Sequence, residues 1–187
     1  MPARAALVYL NHALHHRPFA TNLALGSFFG FTGDVICQFG VQKRSTSEFD
    51  HPRLWGLTTF FGFYASTFSL RIFAMYPKIL PHFIMKSPFR EGMVSSMLDN
   101  CVHSPFLYLP LFYVWTGWFE GESAKHSLYK YADQFVPAMK ALLVIWMPIQ
   151  FLNFSIVPRN HRVAFVGLGN LVWNVIIDYI SHETVPA

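Results

Sequence analysis

The most informative shortage in this chain is a shortage of charge. Only 13% of its 187 residues are Asp, Glu, Lys or Arg, whereas 53% are hydrophobic, and soluble domains carry about a quarter charged residues. This composition predicts one membrane domain over residues 1–187. The Lys and Arg residues behind the net charge of +4 are scattered. We therefore expect a lipid bilayer, and no nucleic acid, as the surroundings of the chain.

Cysteine and catalytic motifs are scarce as well. Cys37 and Cys101 both lie in apolar stretches, which argues against a disulfide framework. The sequence has no nucleophile-elbow, Walker, Rossmann or H-E-x-x-H pattern. His12, His15 and His16 have a spacing that a metal could use, but no acid or thiol joins them. We therefore expect no enzyme activity, no cofactor and no metal site.

Long apolar stretches are what the chain does have. There are five of them, at 21–39, 55–76, 93–119, 135–157 and 163–180. A membrane-crossing α-helix needs about 20 apolar residues, and the last stretch is short and carries polar side chains. The sequence therefore predicts an all-α integral membrane helical bundle of four or five spans.

Polar connections separate these stretches. We expect loops at Lys43–Arg53 and Glu120–Asp133, the second with a short amphipathic turn, and a turn-rich segment at Pro77–Arg90. If all five stretches cross, the Lys and Arg residues divide seven to five. One side has Arg4, Arg17, Lys78, Lys86, Arg90, Arg159 and Arg162, and the other has Lys43, Arg44, Arg53, Lys125 and Lys130. That difference is too small to assign an orientation.

A glycine face marks the first apolar stretch. Gly26 and Gly30 form a G-x-x-x-G pair, and Gly33 extends it. Small residues at this spacing let two helix backbones come close together. The pattern predicts that this face packs against another helix.

Three acidic residues, Asp34, Asp99 and Asp178, lie inside apolar stretches, with Arg71 and Lys140 as cations at comparable depth. A charged Asp at the centre of a bilayer costs about 2.5–3.5 kcal/mol on insertion scales. Two explanations stay open for each acid. It either pairs with a group on another helix or lines a polar path for a solute or protons.

Further polar side chains accompany these acids. His103 follows Asp99 by four residues, the step of a hydrogen bond along one helix, and Gln150 and Asn153 share a helical face. The candidates for a pore or a buried polar network are Asp34, Gln38, Asp99, His103, Gln150, Asn153 and Arg162.

Two sets of residues resemble one known family. The first is Tyr9, Leu14, Pro18, Thr21, Gly33-Asp34 and Gln38, and the second is Trp146, Gln150, Asn153-Phe154, Val157-Pro158, Arg162 and Trp173-Asn174. Both resemble the Mpv/PMP family of the twenty-two-kilodalton peroxisomal membrane protein and its mitochondrial inner-membrane relatives. The chain departs from the family where Met147 separates Trp146 from Pro148 and where Asp99-Asn100 replaces Asp-Gln. The aromatic motif of the second span and the end of the last motif are also missing, as in a divergent member.

The resemblance implies a channel-like organellar membrane protein that passes small solutes or ions and acts in mitochondrial homeostasis. The alternative is a non-conducting structural subunit that uses its glycine face to dock on a larger membrane complex. A homo-oligomer or such a complex is the expected assembly. The start of the chain has Arg4 and Arg17 but no acid before Asp34. Together with the resemblance, this favours the mitochondrial inner membrane, with the peroxisomal membrane as the alternative.

Overall fold

The computed structural model describes the backbone of residues 2–183, and in that range all side chains except those of residues 2–7, 168, 178 and 181–183. All regular structure in this range is helical, as predicted. The α-helices are α1 (Pro2–His16), α2 (Pro18–Val35), α3 (His51–Tyr64), α4 (Leu70–Ile79), α5 (His82–Met85), α6 (Pro88–Leu98), α7 (Leu109–Phe119), α8 (Ala124–Ser155) and α9 (Arg162–Glu183).

Three π-helical segments extend or join these helices. Ile36–Val41 continues α2, Ala65–Ser69 joins α3 to α4, and Asp99–Tyr108 joins α6 to α7. The helical stretches 51–79 and 88–119 are therefore unbroken along the chain. Pro105 lies inside the third segment, where the wider π turn accommodates a residue that cannot donate a backbone hydrogen bond.

The prediction of a loop over Glu120–Asp133 is wrong, because α8 begins at Ala124. Only residues 120–123 connect α7 to α8, because Ser123 caps α8 by accepting a hydrogen bond from the backbone nitrogen of His126. The buried positions of α8 from Ser127 to Asn153 follow the helical repeat, with one spacing of seven residues between Ser127 and Gln134 and spacings of three or four residues after it. Several of them are polar, so the apolar pattern in the sequence begins later than the helix does.

The other expected connections are also more helical than predicted. Helix α4 continues through Pro77 to Ile79, and α5 and α6 occupy most of the remaining segment up to Arg90. In the connection predicted at Lys43–Arg53, Asp50 caps α3 by accepting a hydrogen bond from the backbone nitrogen of Arg53. Arg53 is therefore a residue of the first turn of α3 and not of a loop.

The glycine face contacts two different helices. A Cβ atom at Gly30 would lie 2.8 Å from the backbone oxygen of Leu57, and one at Gly26 would overlap the backbone oxygen of Phe61. Both glycines thus lie directly against α3. Gly33 instead faces α9, where a Cβ atom would lie 2.7 Å from Cβ of Asn174. The face expected to dock on a larger complex is consumed by packing within this chain.

The apolar core joins α3, α7, α8 and α9. Phe60, Phe112, Leu142 and Trp173 are all almost fully buried in it. Each comes from a different helix, so the core connects segments that are far apart in sequence. Tyr64 of α3 belongs to the same core and also lines the polar cavity described below.

Two continuous helical stretches of the described chain are long and apolar enough to cross a membrane, Pro18–Val41 and Ala124–Ser155. At 1.5 Å per residue they are roughly 36 and 48 Å long, against a hydrocarbon core of about 30 Å. The second would therefore extend beyond the hydrocarbon. The count of four or five spans stays a prediction.

Candidate functional site: a polar cavity between two buried ion pairs

Asp99 lies at the centre of a buried polar network. Its Oδ1 accepts a hydrogen bond of 2.8 Å from the Tyr76 hydroxyl and lies 2.7 Å from Nδ1 of His103. Its Oδ2 accepts a hydrogen bond of 2.6 Å from Nε2 of Gln150, whose Oε1 accepts one of 2.9 Å from Nδ2 of Asn153. The fold thus brings four of the predicted candidates together. Tyr76 is a partner that the sequence does not indicate.

Tyr64 extends the network to α3. Its hydroxyl contacts Nε2 of His103, and the two rings are stacked with centroids 5.9 Å apart. A neutral imidazole carries its proton on one nitrogen only. With the proton on Nδ1, His103 donates to Asp99 and accepts from Tyr64, which satisfies both contacts. The groups form a chain Tyr64–His103–Asp99 along which a proton could move.

A cavity of about 60 Å³ opens beside this chain. Its lining includes Tyr64, Asp99, His103 and Gln150, together with Asn22 and Asn170 from α2 and α9. The rest of the wall is mostly apolar, formed by residues such as Phe61, Phe73 and Leu142. A polar cavity of this volume has room for a few water molecules.

Two π-helical segments border the cavity. Ala65 and Ser69 of the segment 65–69 line it, as do Asp99, His103 and Ser104 of the segment 99–108. A π turn shifts the side chains that follow it around the helix, and such turns occur frequently at functional sites. Here both segments present polar atoms to the same space.

Asp34 belongs to a different cluster, at the end of the bundle where α3 begins. Its Oδ1 lies 3.0 Å from Nε of Arg53, and both side chains are fully buried. Gln38 donates through Nε2 to Oδ2 of Asp34 at 2.7 Å. Arg53 also donates to Oε1 of Gln42 at 3.0 Å and contacts the sulfur of Cys37. None of these residues lines the cavity.

Gln38 also connects this cluster to the following connection. Its Oε1 accepts a hydrogen bond of 2.8 Å from the backbone nitrogen of Asp50, and its Nε2 donates to the backbone oxygen of the same residue at 3.1 Å. The amide of Gln38 therefore hydrogen-bonds with both backbone groups of Asp50, the residue that caps α3. Asp34 and Gln38 thereby hold α2 and its continuation to α3.

Arg162 forms a second buried ion pair, at the end where α9 begins. Its Nη2 donates to Oε1 of Glu91 on α6 at 2.7 Å and to the backbone oxygen of Phe154 at 2.9 Å. The guanidinium also lies over the Phe154 ring, 5.2 Å from its centroid. Arg162 thereby connects α6, α8 and α9. Because Arg162 begins α9 and is paired with Glu91, its guanidinium is not one of the charges of a connecting loop.

Sequence reasoning missed the partners of these candidates. Arg53 and Glu91 were not expected at a site, yet an acid or cation buried in an apolar stretch requires an opposite charge from another segment. This requirement predicts that each buried charge has a partner of opposite charge, but it does not identify the partner residue. Arg71 and Lys140 are exposed on the bundle surface. The side chain of Asp178 lies outside the described residues.

Comparison with known proteins agrees with the resemblance in the sequence. Residues 117–178 match the model of the Mpv17 / PMP22 family. This range contains Gln150, Asn153 and Arg162, so it contributes to the cavity network and to the second ion pair. No solved structure matches the chain.

Individual relatives cover most of the chain. Protein SYM1 of Gibberella zeae is 25% identical over 94% of this chain and 97% of its own. The human Mitochondrial inner membrane protein Mpv17 is 27% identical over 86% of this chain and 88% of its own. PXMP2/4 family protein 4 of Dictyostelium discoideum is 25% identical over 88% and 86%.

These names agree with the location expected from the sequence, the mitochondrial inner membrane first and the peroxisomal membrane second. The relatives align along nearly their whole length, and the family model covers the segment that carries the second set of motif residues. The matches support membership of the chain in the Mpv17 / PMP22 family, to which it is similar over residues 117–178 and whose named relatives include mitochondrial inner membrane proteins.

Proposed function

We propose that this protein is a channel-like protein of the mitochondrial inner membrane that passes small solutes or ions, with the cavity beside Asp99 as part of the path. Its helical stretches would cross the bilayer four or five times. Catalysis and cofactors form no part of the proposal. Passage is attributed to the polar lining and not to a chemical reaction.

The difference between the two buried acids is the observation that carries the proposal. Asp34 is neutralised by Arg53 at 3.0 Å, so its charge is not available to a solute. Asp99 is held by a tyrosine, a histidine and an amide, none of which is permanently charged. It also lines the cavity. A carboxylate in that position attracts cations and repels anions.

Two buried amide oxygens add to the polar character of this region. Oδ1 of Asn100 and Oδ1 of Asn153 have no hydrogen-bond partner within the described part of the chain. A buried polar group without a partner costs about 1–3 kcal/mol. Such groups favour any rearrangement that brings water or a polar solute to them.

In this proposal the described conformation is a closed state, because the cavity is small. About 60 Å³ holds a few water molecules but no metabolite. Phe61, Phe73 and Tyr108 are among the bulky side chains that border it. Conduction therefore requires movement of these side chains or of the π-helical segments that carry the polar groups.

The same closed state favours the second candidate, a non-conducting structural subunit. Two buried ion pairs and close glycine packing are what a rigid bundle needs. Such a subunit would have to dock through a surface other than Gly26 and Gly30, because both lie against α3. A homo-oligomer or a larger membrane complex is compatible with either candidate.

Purified full-length protein in planar bilayers tests the proposal. The expected result is a conductance that prefers cations, and Asp99→Asn should lower that preference, because it removes the carboxylate while preserving the shape of the side chain. Asp34→Asn is the matched control. It changes an equally buried acid that Arg53 already neutralises, so it should reduce the yield of folded protein without changing selectivity.

Three outcomes are decisive. Loss of cation preference in Asp99→Asn alone supports the path beside Asp99. Equal effects of both substitutions on selectivity would place the path elsewhere. Folded protein that conducts nothing, and that co-purifies stoichiometrically with other membrane proteins, would replace the channel by the structural subunit.

A further inference from the structure

A basic groove lies at one end of the bundle, apart from the cavity. This end, which we call the basic end, is where α1, α4 and α8 finish and where α6 and α9 begin. The groove has a volume of about 380 Å³. It is lined by Pro77, Leu80, His82, Met85, Lys86 and Arg159. Its charged and titratable side chains are thus all basic, and the others are apolar.

The surroundings of the groove are basic as well. Arg17, Lys78 and Arg90 are exposed at the same end, in addition to Lys86 and Arg159. The one acidic side chain described there, Glu91, is buried against Arg162. The exposed or half-exposed acids of the described chain lie at the opposite end, where α3 and α8 begin. They are Glu48, Asp50, Glu120, Glu122 and Asp133.

Exposed apolar side chains flank the basic groups. Ile79, Phe83 and Phe89 are 55%, 62% and 64% exposed and belong to the segment that contains the groove. In a soluble protein such side chains would contact water. In a membrane protein, aromatic residues beside Lys and Arg are typical of the interface between hydrocarbon and headgroups.

We propose that this groove binds the headgroup of an anionic phospholipid. The phosphate would lie between Lys86 and Arg159, with His82 at the side, and the acyl chains would run along Met85 and the exposed phenylalanines. Basic pockets between membrane helices bind anionic lipid headgroups in this manner. The apolar residues in the lining favour a lipid over a free phosphate, because a hydrated ion gains nothing from contact with Leu80 and Met85.

This site is independent of conduction. The groove does not share a lining residue with the cavity beside Asp99, so a structural subunit would have it as well. Failure of the channel proposal would leave it intact, and its own failure would leave the channel proposal intact.

Lipid binding to the detergent-purified full-length protein tests the site. Native mass spectrometry is used to titrate phosphatidylglycerol and phosphatidylcholine from mixed micelles, with inorganic phosphate as a third ligand. The double variant Lys86→Gln/Arg159→Gln removes two cations from the groove. Lys43→Gln/Lys125→Gln is the matched control, because it removes two exposed cations from the opposite end.

Wild-type protein should bind phosphatidylglycerol more tightly than phosphatidylcholine. The groove variant should bind phosphatidylglycerol about tenfold more weakly, and the control less than about twofold more weakly, since each cation near the headgroup contributes separately. Lys86→Arg preserves the charge and should preserve binding. Tryptophan-fluorescence melting of each variant establishes that it is folded, which we expect because both groove cations are exposed.

Several results would overturn the proposal. Equal weakening in both double variants would mean that only net charge matters. Equal affinity for the two lipids would mean that the headgroup charge is not recognised. Displacement of the lipid by inorganic phosphate at comparable concentration, with the same dependence on Lys86 and Arg159, would assign the groove to a free anion instead.

Discussion

Residues of the same type have different roles in this bundle, and their partners decide which. Asp34 and Asp99 are both buried acids in apolar stretches, but only Asp34 has an arginine beside it. Its loss of hydration is offset by a full charge and by the amide of Gln38. Asp99 depends on three weaker donors around a cavity. In the proposed function, the first acid stabilises the bundle and the second contacts the solute.

The pair of Asp34 and Arg53 yields a stability prediction. Arg53→Gln should lower the free energy of unfolding by about 3–5 kcal/mol, because it leaves a buried carboxylate without a countercharge. The double variant Asp34→Asn/Arg53→Gln should recover more than half of that loss, since no isolated charge remains. Denaturant titration in detergent, followed by tryptophan fluorescence, measures both.

Arg44→Gln provides the control for this prediction. Arg44 lies 3.7 Å from Asp50, and both side chains are about 30% exposed, so its loss should cost less than about 1 kcal/mol. Similar losses for Arg44→Gln and Arg53→Gln would contradict the assignment of Arg53 to a buried, stabilising pair.

The sequence indicated which residues are polar in unfavourable places but not how they pair. A spacing of four residues placed Asp99 and His103 on one helical face, and a spacing of three placed Gln150 and Asn153 on another. The pairing of Asp34 with Arg53 and of Glu91 with Arg162 crosses between helices. Such contacts depend on which helices become neighbours, and helical periodicity along one segment does not contain that information.

At the scale of the elements, close packing of α2 on α3 depends on residues without side chains. Gly26 and Gly30 lie against the backbone of α3, and Gly62 of α3 lies in turn against Ser27 and Leu23 of α2. The two helices thus approach each other through glycines on both sides. Helix α2 also carries Asp34, and α3 carries Arg53, so this packing sets the distance between the two members of the ion pair. Tyr64 of α3 lines the cavity.

Gly30→Ala tests this packing. A Cβ atom there would meet the backbone oxygen of Leu57 at 2.8 Å, and a backbone atom cannot move aside as a flexible side chain does. The substitution should therefore lower the free energy of unfolding by about 1–3 kcal/mol. Thermal unfolding in detergent is the measurement.

Gly40→Ala is the matched control. Gly40 also lies in the helical stretch that begins with α2, but a Cβ atom there would contact only Ile36, at an ordinary 3.7 Å. Alanine is the better helix former, so stability should be unchanged or should rise by up to about 1 kcal/mol. Destabilisation by both substitutions would mean that glycine itself, and not close approach, matters in this stretch.

The lengths of the elements were harder to predict than their presence. Each of the five apolar stretches lies within a helix or a continuous helical stretch, except that the fourth extends two residues beyond the end of α8. Helix α8 nevertheless begins eleven residues before the predicted stretch, since its first turns bury Ser127 and Gln134 instead of apolar residues. Hydrophobic periodicity detects buried apolar residues and misses buried polar ones. Gln134 can be buried because its Oε1 accepts a hydrogen bond of 2.8 Å from the Tyr113 hydroxyl, a contact that the sequence pattern does not reveal.

At the scale of the whole molecule, the two ion pairs fix opposite ends of the bundle, and the cavity lies apart from both. Arg53 and Arg162 are each consumed by a buried acid, so neither counts as a surface charge. Arg44 and Lys130 of the opposite end are paired with Asp50 and Glu122. The slight imbalance of basic residues in the sequence thus becomes a clear imbalance of exposed charge.

This imbalance predicts an orientation. Segments rich in Lys and Arg remain on the cytoplasmic side of a bacterial membrane, to which the matrix side of the mitochondrial inner membrane corresponds. The basic end has five exposed cations, Arg17, Lys78, Lys86, Arg90 and Arg159, and no exposed acid among the described residues. We therefore expect the basic end in the matrix and the connection between α2 and α3 on the other side.

Cysteine labelling in mitoplasts tests this orientation. In a Cys101→Ser background, Ser47→Cys marks the connection between α2 and α3, and Asn160→Cys marks the basic end; both positions are exposed. A membrane-impermeant maleimide should label Ser47→Cys in intact mitoplasts and Asn160→Cys only after permeabilisation. The remaining Cys37 is fully buried and should stay unlabelled. The reverse pattern would invert the orientation, and labelling of both positions in intact mitoplasts would contradict the crossing of the bilayer between them.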